Sequence, residues 1–361
     1  MQEILLNAPS MTAKIYIGDD AISTRLPALV RGQKNFVVTD SNVYSLHGAF
    51  FRRYFENSEI FVLPAGEENK NFFWLQKILE GMAKAGLHRD SRLFAVGGGV
   101  IGDIAGLSAS LYMRGISCVQ IPTTLLAQVD SSVGGKTAID FCGIKNIVGA
   151  FYQPCEVLIS PAFLSTLPQR EIKCGLGEIV KYAVLDGKIF DILEENLDGL
   201  QRLDFLSALI PVCIQYKARV VESDEKETGE RKSLNVGHTT GHAIELVNGL
   251  SHGECVLYGA WLETKIAINE GVCEKEYGER LLRILSRALQ VLPTDEANLR
   301  VDAFAQKVKS DKKNTGDGNI RMAVATRKGA WTELSLSFER YCKALANAVE
   351  DWKREGQVCV Q

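Results

Sequence analysis

The chain has 361 residues, of which 46% are hydrophobic and 24% are charged, which predicts a soluble globular protein with two domains. A net charge of −3 gives no general bias towards nucleic acid or anionic membranes. There is no twenty-residue apolar run and no signal peptide, and the nine cysteines are scattered without a CxxC pair. We therefore expect a cytoplasmic protein that binds neither nucleic acid nor membrane.

The first 160 residues alternate short β-branched or aromatic runs with helical patterns. Four such runs predict strands over residues 36–39, 60–63, 93–96 and 118–121. A helical pattern over 72–82 separates the second strand from the third, as a right-handed crossover between parallel strands requires. The opening of the chain predicts an outer hairpin or edge. Residues 1–160 are therefore expected to form an α/β domain.

The pattern changes after residue 160, and residues 161–361 are predicted to form a second, mostly α-helical domain. The longest helical patterns cover residues 171–185, 205–221 and 256–269. One exception is a small hairpin that is predicted over residues 319–336.

The third predicted strand ends in a glycine-rich run, Gly97 to Asp103, directly before a helical pattern. Such a turn exposes backbone N–H groups and the positive end of a helix dipole, which favours a phosphate. The spacing differs from GxGxxG, so the run alone leaves a pyrophosphate site and a simple tight turn both open. Glu67, and Asp40 with Asn42, follow the two earlier strands at the same edge of the sheet, where open α/β sheets bind ligands. Each of them is also a common turn or cap residue.

A dense polar stretch, from Thr123 to Asn146, follows the fourth predicted strand. It is rich in small and functional residues where a purely structural segment would be apolar, which favours ligand binding. Lys136 and Lys145, with Arg114 upstream, form a cationic set that suits a phosphate or a carboxylate. For any single lysine, a solvated surface charge is the alternative interpretation.

Three of the five histidines, His238, His242 and His252, fall within fifteen residues. Imidazole is a common zinc ligand, and His238 and His242 stand four apart, so a helix would place them on one face. The cluster predicts a metal site, with ordinary hydrogen-bonded histidines as the alternative. His47 and His88 lie elsewhere and are expected to be surface or core residues.

Longer motifs carry a family resemblance. They are residues 97–106, 121–136, 145–146, 175–181, 234–242 and 252–254. Together they closely resemble the 3-dehydroquinate synthase family, within the sugar phosphate cyclase superfamily, over most of the chain from Asp40 onwards. The resemblance implies a Rossmann-like NAD-binding α/β domain, a mostly α-helical metal-binding domain and a homodimer. It assigns NAD binding to Asp40, Asn42, Glu67, Lys70, Gly98, Gly99, Asp103, Thr123, Thr124, Asp130, Lys136, Lys145, Thr166 and Leu167.

The same resemblance implies a zinc ion, for which Co²⁺ can substitute. The glutamate and two histidines that hold zinc in the family correspond to Glu178, His238 and His252. His242 then serves the substrate and proton transfer and is not a ligand. A plain helix ion pair between Glu178 and Lys181, spaced i, i+3, is the alternative role for this carboxylate.

The remaining matches are expected to surround a small sugar-acid phosphate, with Arg114 of each subunit reaching the neighbouring active site. The expected substrate-binding residues are Arg114, Asp130, Lys136, Asn146, Lys181, Lys217, Arg231, Asn235, His242, Lys312 and Lys313. The expected catalytic residues are His242, Lys136, Lys181, Asn146 and Glu227.

The implied activity is conversion of 3-deoxy-D-arabino-heptulosonate 7-phosphate to 3-dehydroquinate and phosphate, in the shikimate pathway. It proceeds by transient oxidation with NAD, β-elimination of phosphate, re-reduction and intramolecular aldol closure. Alternatives are another sugar phosphate cyclase, a metal-dependent polyol dehydrogenase and a non-catalytic sugar-phosphate binder. One departure from the family pattern is the order Gly143-Ile144 before Lys145, which predicts an altered turn there.

Overall fold

A computed structural model describes residues 1–291, 301–309 and 318–355 of the chain. Contacts between residues divide the chain into two compact units. Unit 1 comprises Met1–Leu167 with Lys217–Lys226, and unit 2 comprises Pro168–Tyr216 with Glu227–Gln361. The single boundary predicted at residue 160 assigns residues 217–226 to the second domain, whereas they belong to unit 1. The sequence shows no sign of this, because its helical pattern continues into these residues without a break.

Unit 1 is built around a seven-stranded sheet. The strands of unit 1 in chain order are β1 (Gln2–Asn7), β2 (Thr12–Ile17), β3 (Asn35–Asp40), β4 (Glu59–Leu63), β5 (Arg92–Gly97), β6 (Ser117–Pro122), β7 (Lys136–Phe141), β8 (Ile144–Phe151) and β9 (Glu156–Ile159). Strands β7 and β8 form a separate hairpin, and the other seven form the sheet. The spatial order is β1-β2-β9-β6-β5-β3-β4, and only the β1–β2 pair is antiparallel. The predicted parallel strands and outer hairpin are confirmed, whereas β9 and the β7–β8 hairpin were not predicted.

Helices cover both faces of this sheet. They are α1 (Ala21–Leu29), α2 (Ser41–Leu46), α3 (Gly48–Phe55), α4 (Phe72–Lys84) and α5 (Gly99–Leu111). Successive side chains of a strand point to opposite faces, and in β5 Leu93 and Ala95 enter one apolar core while Phe94 and Val96 enter the other. Burial on both faces explains why β5 reads as a continuous apolar run, as strands of parallel sheets do.

The β7–β8 hairpin turns on two residues, Cys142 and Gly143, between the paired Phe141 and Ile144. Both have positive φ, 52° and 76°, as in the two-residue turns that match the twist of a hairpin. Glycine therefore occupies the second position of this turn, where a positive φ favours it. Lys145 follows within strand β8.

Residues 217–226 are held in unit 1 by its N-terminal hairpin. The Asn7 N–H donates to the carboxylate of Glu222 at 2.7 Å, and the Ser10 N–H donates to Glu225 at 3.1 Å. Gln153 Nε2 also donates to Glu225, at 2.9 Å. Three parts of unit 1 that are distant in sequence therefore meet at these two carboxylates.

Unit 2 is mostly helical, as predicted. Its elements in chain order are α6 (Gln169–Leu185), α7 (Gly187–Glu195), α8 (Leu203–Ser223, whose end belongs to unit 1), α9 (His238–Asn248), α10 (His252–Asn269), α11 (Lys275–Gln290), α12 (Val301–Lys309), β10 (Asn319–Arg327), β11 (Ala330–Ser337) and α13 (Phe338–Glu355). The β10–β11 pair is the predicted hairpin. Every residue of α6 from Ile172 to Leu185 is buried, so this helix is central to the unit. Within the described ranges, no helix is both long and apolar enough to cross a membrane.

Candidate active site

Helices α6 and α10 cross at glycines, with their backbones in contact. A Cβ atom on Gly253 would lie 1.9 Å from the Cys174 carbonyl oxygen, and one on Gly177 would lie 2.2 Å from the Gly253 carbonyl oxygen. No larger residue fits at either position without moving a backbone. This crossing brings Glu178 of α6 next to His252, the first residue of α10.

Helices α9 and α10 make a second crossing of the same kind. A Cβ atom on Gly259 would lie 2.0 Å from the Gly237 carbonyl oxygen, and one on Gly241 would lie 2.6 Å from that of Cys255. The start of α9 therefore packs directly against residues 255–260 of α10. His238 and His242 lie one turn apart on α9, as predicted from their spacing.

The two crossings assemble three histidines and a glutamate. The candidate ligand atoms of His238, His242 and His252 all lie within 4.8 Å of one another. Glu178 Oε1 lies 3.3 Å from His252 Nε2 and 3.7 Å from His238 Nε2. Donor atoms of a tetrahedral zinc ion with bonds of about 2.0–2.2 Å stand roughly 3.3–3.6 Å apart, so these side chains fit a metal ion.

Hydrogen bonds orient two of the imidazoles. His238 Nδ1 lies 2.9 Å from the Val236 carbonyl oxygen, and because a carbonyl only accepts, Nδ1 carries the proton and Nε2 keeps its lone pair. His252 Nδ1 lies 3.3 Å from the Glu245 carboxylate, which leaves His252 Nε2 towards Glu178. A second hydrogen bond of this kind fixes the orientation of metal-binding histidines in many proteins.

The charges of the cluster suit a cation. Burial alone lowers the pKa of His252, but hydrogen bonds with Glu178 and Glu245 outweigh burial and raise the pKa to about 9. Glu178 is 1% exposed, and its second oxygen, Oε2, forms an ion pair with Lys181. The two proposed roles of Glu178 are therefore compatible, because each uses a different oxygen.

Other predicted residues of unit 2 lie between α8 and α9. Asn235 Nδ2 donates to Glu227 Oε1 at 2.6 Å, and Arg231 is 1% exposed. Glu227 has a φ of 60°, an uncommon conformation for a residue other than glycine. The predictions for Lys312 and Lys313 fall outside the described residues.

In unit 1, the glycine turn between β5 and α5 packs against the end of β6. A Cβ atom on Gly98 would lie 2.9 Å from a methyl carbon of Thr124, and the Thr123 N–H donates to the Gly97 carbonyl at 2.9 Å. Gly98 caps α5 without a side-chain hydrogen bond. The N–H groups at the N-terminus of α5 can therefore bind an anion. A side chain at position 98 would reduce the space beside them, so the glycine turn fits a pyrophosphate.

Lys70 links the neighbouring loops of unit 1. Its Nζ lies 2.7 Å from Asp103 Oδ2 and 3.7 Å from Glu67 Oε1. Burial alone lowers the pKa of Lys70, but these two carboxylates outweigh burial and raise it. The Lys70 carbonyl accepts from the Asp140 N–H, and Asp140 Oδ1 accepts from the Asn146 N–H at 2.8 Å. The structure therefore brings Glu67, Lys70 and Asp103 together.

Asp130 and Lys217 also meet in unit 1. Lys217 is 5% exposed, and its Nζ lies 2.7 Å from the Asp130 carbonyl oxygen and 2.9 Å from Oδ1. The sequence predicted both residues for ligand binding but did not predict this contact.

Other predicted residues of unit 1 lie at its surface or at the start of a helix. Lys136, Lys145 and Arg114 are exposed. Asp40 caps α2 by accepting from the N–H groups of Asn42 and Val43.

Several residues that contact predicted site residues were not themselves predicted from the sequence. His47, expected to be a surface or core residue, lies 3.1 Å from Thr166, a predicted NAD residue, and burial lowers the His47 pKa. Glu245 contacts His252, and its position three residues after His242 is a spacing that could have indicated it. The N–H groups of Gly237 and Thr240 donate to the carboxylate of Glu263, and no local spacing indicates this contact.

Comparison with known proteins identifies the family. A family profile described as 3-dehydroquinate synthase N-terminal matches residues 60–174, and one described as 3-dehydroquinate synthase C-terminal matches residues 175–314. A 3-dehydroquinate synthase of Caldanaerobacter subterraneus subsp. tengcongensis is 42% identical over 96% of this chain and 100% of its own length.

Two solved structures share the fold. A 2-deoxy-scyllo-inosose synthase complexed with carbaglucose-6-phosphate, NAD⁺ and Co²⁺ is 24% identical, with a TM-score of 0.82 over 96% of this chain and 99% of its own. A 2-epi-5-epi-valiolone synthase from Streptomyces hygroscopicus subsp. jinggangensis 5008, with NAD⁺ and Zn²⁺ bound, is 26% identical, with a TM-score of 0.82 over 94% and 98%.

The parallel sheet with its glycine turn, and the helices with their cluster of histidines, define an enzyme of the class that joins an α/β nucleotide fold to a helical metal-binding fold. Within this class, the chain belongs to the 3-dehydroquinate synthase family. The predicted family and fold class are confirmed.

Proposed function

We propose that this protein converts 3-deoxy-D-arabino-heptulosonate 7-phosphate to 3-dehydroquinate and phosphate. The observation that carries the proposal is the cluster of Glu178, His238, His242 and His252 in a chain that matches a relative over 96% of its own length and 100% of the relative's. A family member that had lost its chemistry would not need to keep this cluster intact. A non-catalytic sugar-phosphate binder is therefore the weaker hypothesis.

The proposed cofactors are NAD on the strand-end loops of unit 1 and Zn²⁺ or Co²⁺ on Glu178, His238 and His252. When bound, they supply a hydride acceptor and a Lewis acid that polarises hydroxyl groups of the substrate. His238 and His252 offer Nε2 atoms whose ring partners are already fixed by Val236 and Glu245. The two related cyclases with bound NAD⁺ and metal support this assignment.

The cationic side chains are proposed to hold the two acidic groups of the substrate. Lys181 and Arg231 are almost fully buried in unit 2, and a buried cation binds an anion more strongly than an exposed one. Lys136, Lys217, Asn235 and Asp130 are proposed to hold the phosphate, carboxylate and hydroxyl groups with them. Lys312 and Lys313 remain in the proposed set from the resemblance alone.

Proton transfer is assigned to His242. Its ring centroid lies 5.2 Å from that of His238 and 5.7 Å from that of His252, so it borders the metal ligands and can serve the substrate that they bind. An imidazole has an unperturbed pKa near 6.5 and can both take and return a proton at neutral pH. Asn146 and Glu227 are proposed to orient the reacting hydroxyl groups.

The sharpest test incubates the purified protein with the heptulosonate phosphate, NAD⁺ and Zn²⁺ or Co²⁺. We expect phosphate and dehydroquinate to appear in equal amounts, without accumulation of NADH. Net NADH would indicate a polyol dehydrogenase, and the absence of phosphate release would contradict the proposal. Turnover of a different sugar phosphate would favour another cyclase, although the two cyclase structures are only 24% and 26% identical to this chain.

The proposed assembly is a cytoplasmic homodimer in which Arg114 reaches the neighbouring active site. Arg114 is exposed three residues after the end of α5, with a φ of 66°, and exposed apolar residues lie near it in the sequence. Leu111 is 52% exposed and Met113 is 42% exposed. An exposed apolar patch around a cation suits a surface that a second subunit covers.

A further inference from the structure

Helix α9 carries two of the clustered histidines, yet no side chain of its own caps its N-terminus. The cap position is Gly237, with a φ of 74°, and it has no side chain that could accept a hydrogen bond. A serine, threonine, aspartate or asparagine is usual at this position, because its oxygen accepts from the N–H two or three residues later. A Cβ atom on Gly237 would lie 2.5 Å from the Val256 carbonyl oxygen, so no such residue fits.

Helix α10 provides the missing acceptor. Glu263 Oε1 accepts from the Thr240 N–H at 2.8 Å, and Glu263 Oε2 accepts from the Gly237 N–H at 2.8 Å. In a capping box, these two hydrogen bonds come from two side chains of the same helix. Here one carboxylate from another helix makes both. Glu263 is 1% exposed, and the positive end of the α9 dipole further stabilises its negative charge.

The position of Glu263 on α10 matches this contact. Glu263 lies four residues after Gly259, so both residues face the first turn of α9. Gly259 allows the two backbones to touch, and Glu263 fixes the rotation of α9 about that contact. His238 is the first residue of α9 and lies between the two N–H groups that Glu263 binds.

We infer that Glu263 is a positioning residue for the metal site, through its double hydrogen bond to the N-terminus of α9. It sets the direction of His238 and His242 relative to His252 without contacting the metal or the substrate. The inference rests on the proposed function, since it requires that the cluster binds a metal.

The test is a Co²⁺ titration of the metal-stripped full-length protein, followed by visible absorption, which reports the coordination geometry of the ion. Glu263→Gln has nearly the volume of glutamate but only one accepting oxygen, so one of the two N–H groups loses its partner. We expect weaker Co²⁺ binding, by about 10–100-fold, and an altered absorption band. Glu263→Asp keeps the charge but is one methylene shorter, and an intermediate effect is expected.

The matched control is Leu206→Ala, a fully buried residue of α8 in unit 2. It should lower the thermal midpoint but leave Co²⁺ affinity and the absorption band unchanged. Wild-type affinity and spectrum in both Glu263 variants would overturn the inference, and so would the same loss in Leu206→Ala. Failure of the wild-type protein to bind Co²⁺ would instead overturn the metal site itself, and the inference with it.

Discussion

Glu178 divides its carboxylate between two partners. Oε1 lies near His238 and His252, and Oε2 forms an ion pair with Lys181. A buried carboxylate is costly unless its charge is compensated, and this arrangement compensates it even without a metal. The ion pair with Lys181 also fixes the direction of Oε1, which faces the imidazoles.

His242 and His252 are expected to respond differently to replacement by alanine. His242→Ala removes the proposed proton-transfer group, so we expect turnover to fall by about 10²–10⁴-fold while the metal stays bound. His252→Ala removes a proposed ligand and should release the metal. Metal content by elemental analysis, measured alongside phosphate release, distinguishes the two. Equal metal loss in both variants would show that His242 is a ligand.

The raised pKa of His252 predicts that metal binding depends on pH. Below a pH of about 9 the metal-free protein carries a proton on His252, and that proton must leave before the imidazole can bind a metal. Apparent affinity for Zn²⁺ should therefore rise with pH, by about tenfold per unit below 9, and level off above it. Calorimetric titrations in buffers of different ionisation enthalpy would count the released protons. An affinity independent of pH from 6 to 8 would contradict this.

At the scale of the elements, three helices meet at glycines. The α6–α10 contact at Gly177 and Gly253, and the α9–α10 contact at Gly237 and Gly259, set the distances between the helices that carry the proposed ligands. Close packing of this kind leaves no room for added atoms. The proposed metal site therefore depends on residues that carry no functional group.

Gly253→Ala is expected to separate α6 from α10, because its Cβ atom would lie 1.9 Å from the Cys174 carbonyl oxygen. We expect a loss of about 1–3 kcal/mol in the free energy of unfolding. Metal affinity should fall as well, since Glu178 moves away from His252. Chemical denaturation and metal titration provide the two measurements.

Gly187→Ala, at the start of α7, is the matched control for this experiment. The three atoms nearest to the added Cβ atom would be carbon atoms of the Lys328 side chain, the closest at 3.2 Å, and no backbone atom lies among them. Wild-type metal affinity in Gly253→Ala would show that the contact between α6 and α10 does not determine the geometry of the proposed metal site.

The elements were predictable where burial leaves a clear apolar pattern in the sequence. β5 was predicted because a strand that is buried on both faces is a short continuous apolar run, and α4 was predicted because a helix buries one face with a period of 3.6 residues. The β7–β8 hairpin was not, because its strands carry the polar residues that suggested a ligand loop. The contact of Glu263 with α9 spans more than twenty residues, and no local pattern encodes it.

For the whole molecule, assembly decides whether Arg114 can act as proposed. If Arg114 of each subunit completes the active site of the neighbouring subunit, two inactive variants can complement each other. A mixed dimer of Arg114→Ala with His242→Ala holds one site with every residue intact, and its second site lacks both residues. We expect each variant alone to be inactive and the mixture, after unfolding and refolding together, to regain about a quarter of the wild-type activity.

Phosphate release before and after co-refolding is the measurement, with each variant refolded alone as the control. Recovery in the mixture only would support a shared site. No recovery despite mixed dimers, shown by differently tagged subunits that purify together, would place Arg114 within its own subunit's site.

The docking of the N-terminal hairpin on Glu222 and Glu225 has a consequence for biosynthesis. Asn7 and Ser10 are made first, yet their partners lie 215 residues later. At about 5–20 residues per second, a ribosome needs roughly 10–40 s to cover that distance. During this interval the sheet of unit 1 can form with its hairpin paired to β9, but the N–H groups of Asn7 and Ser10 still lack their carboxylate partners. Unit 1 is therefore completed only after α6 and α7 of unit 2 have been synthesised.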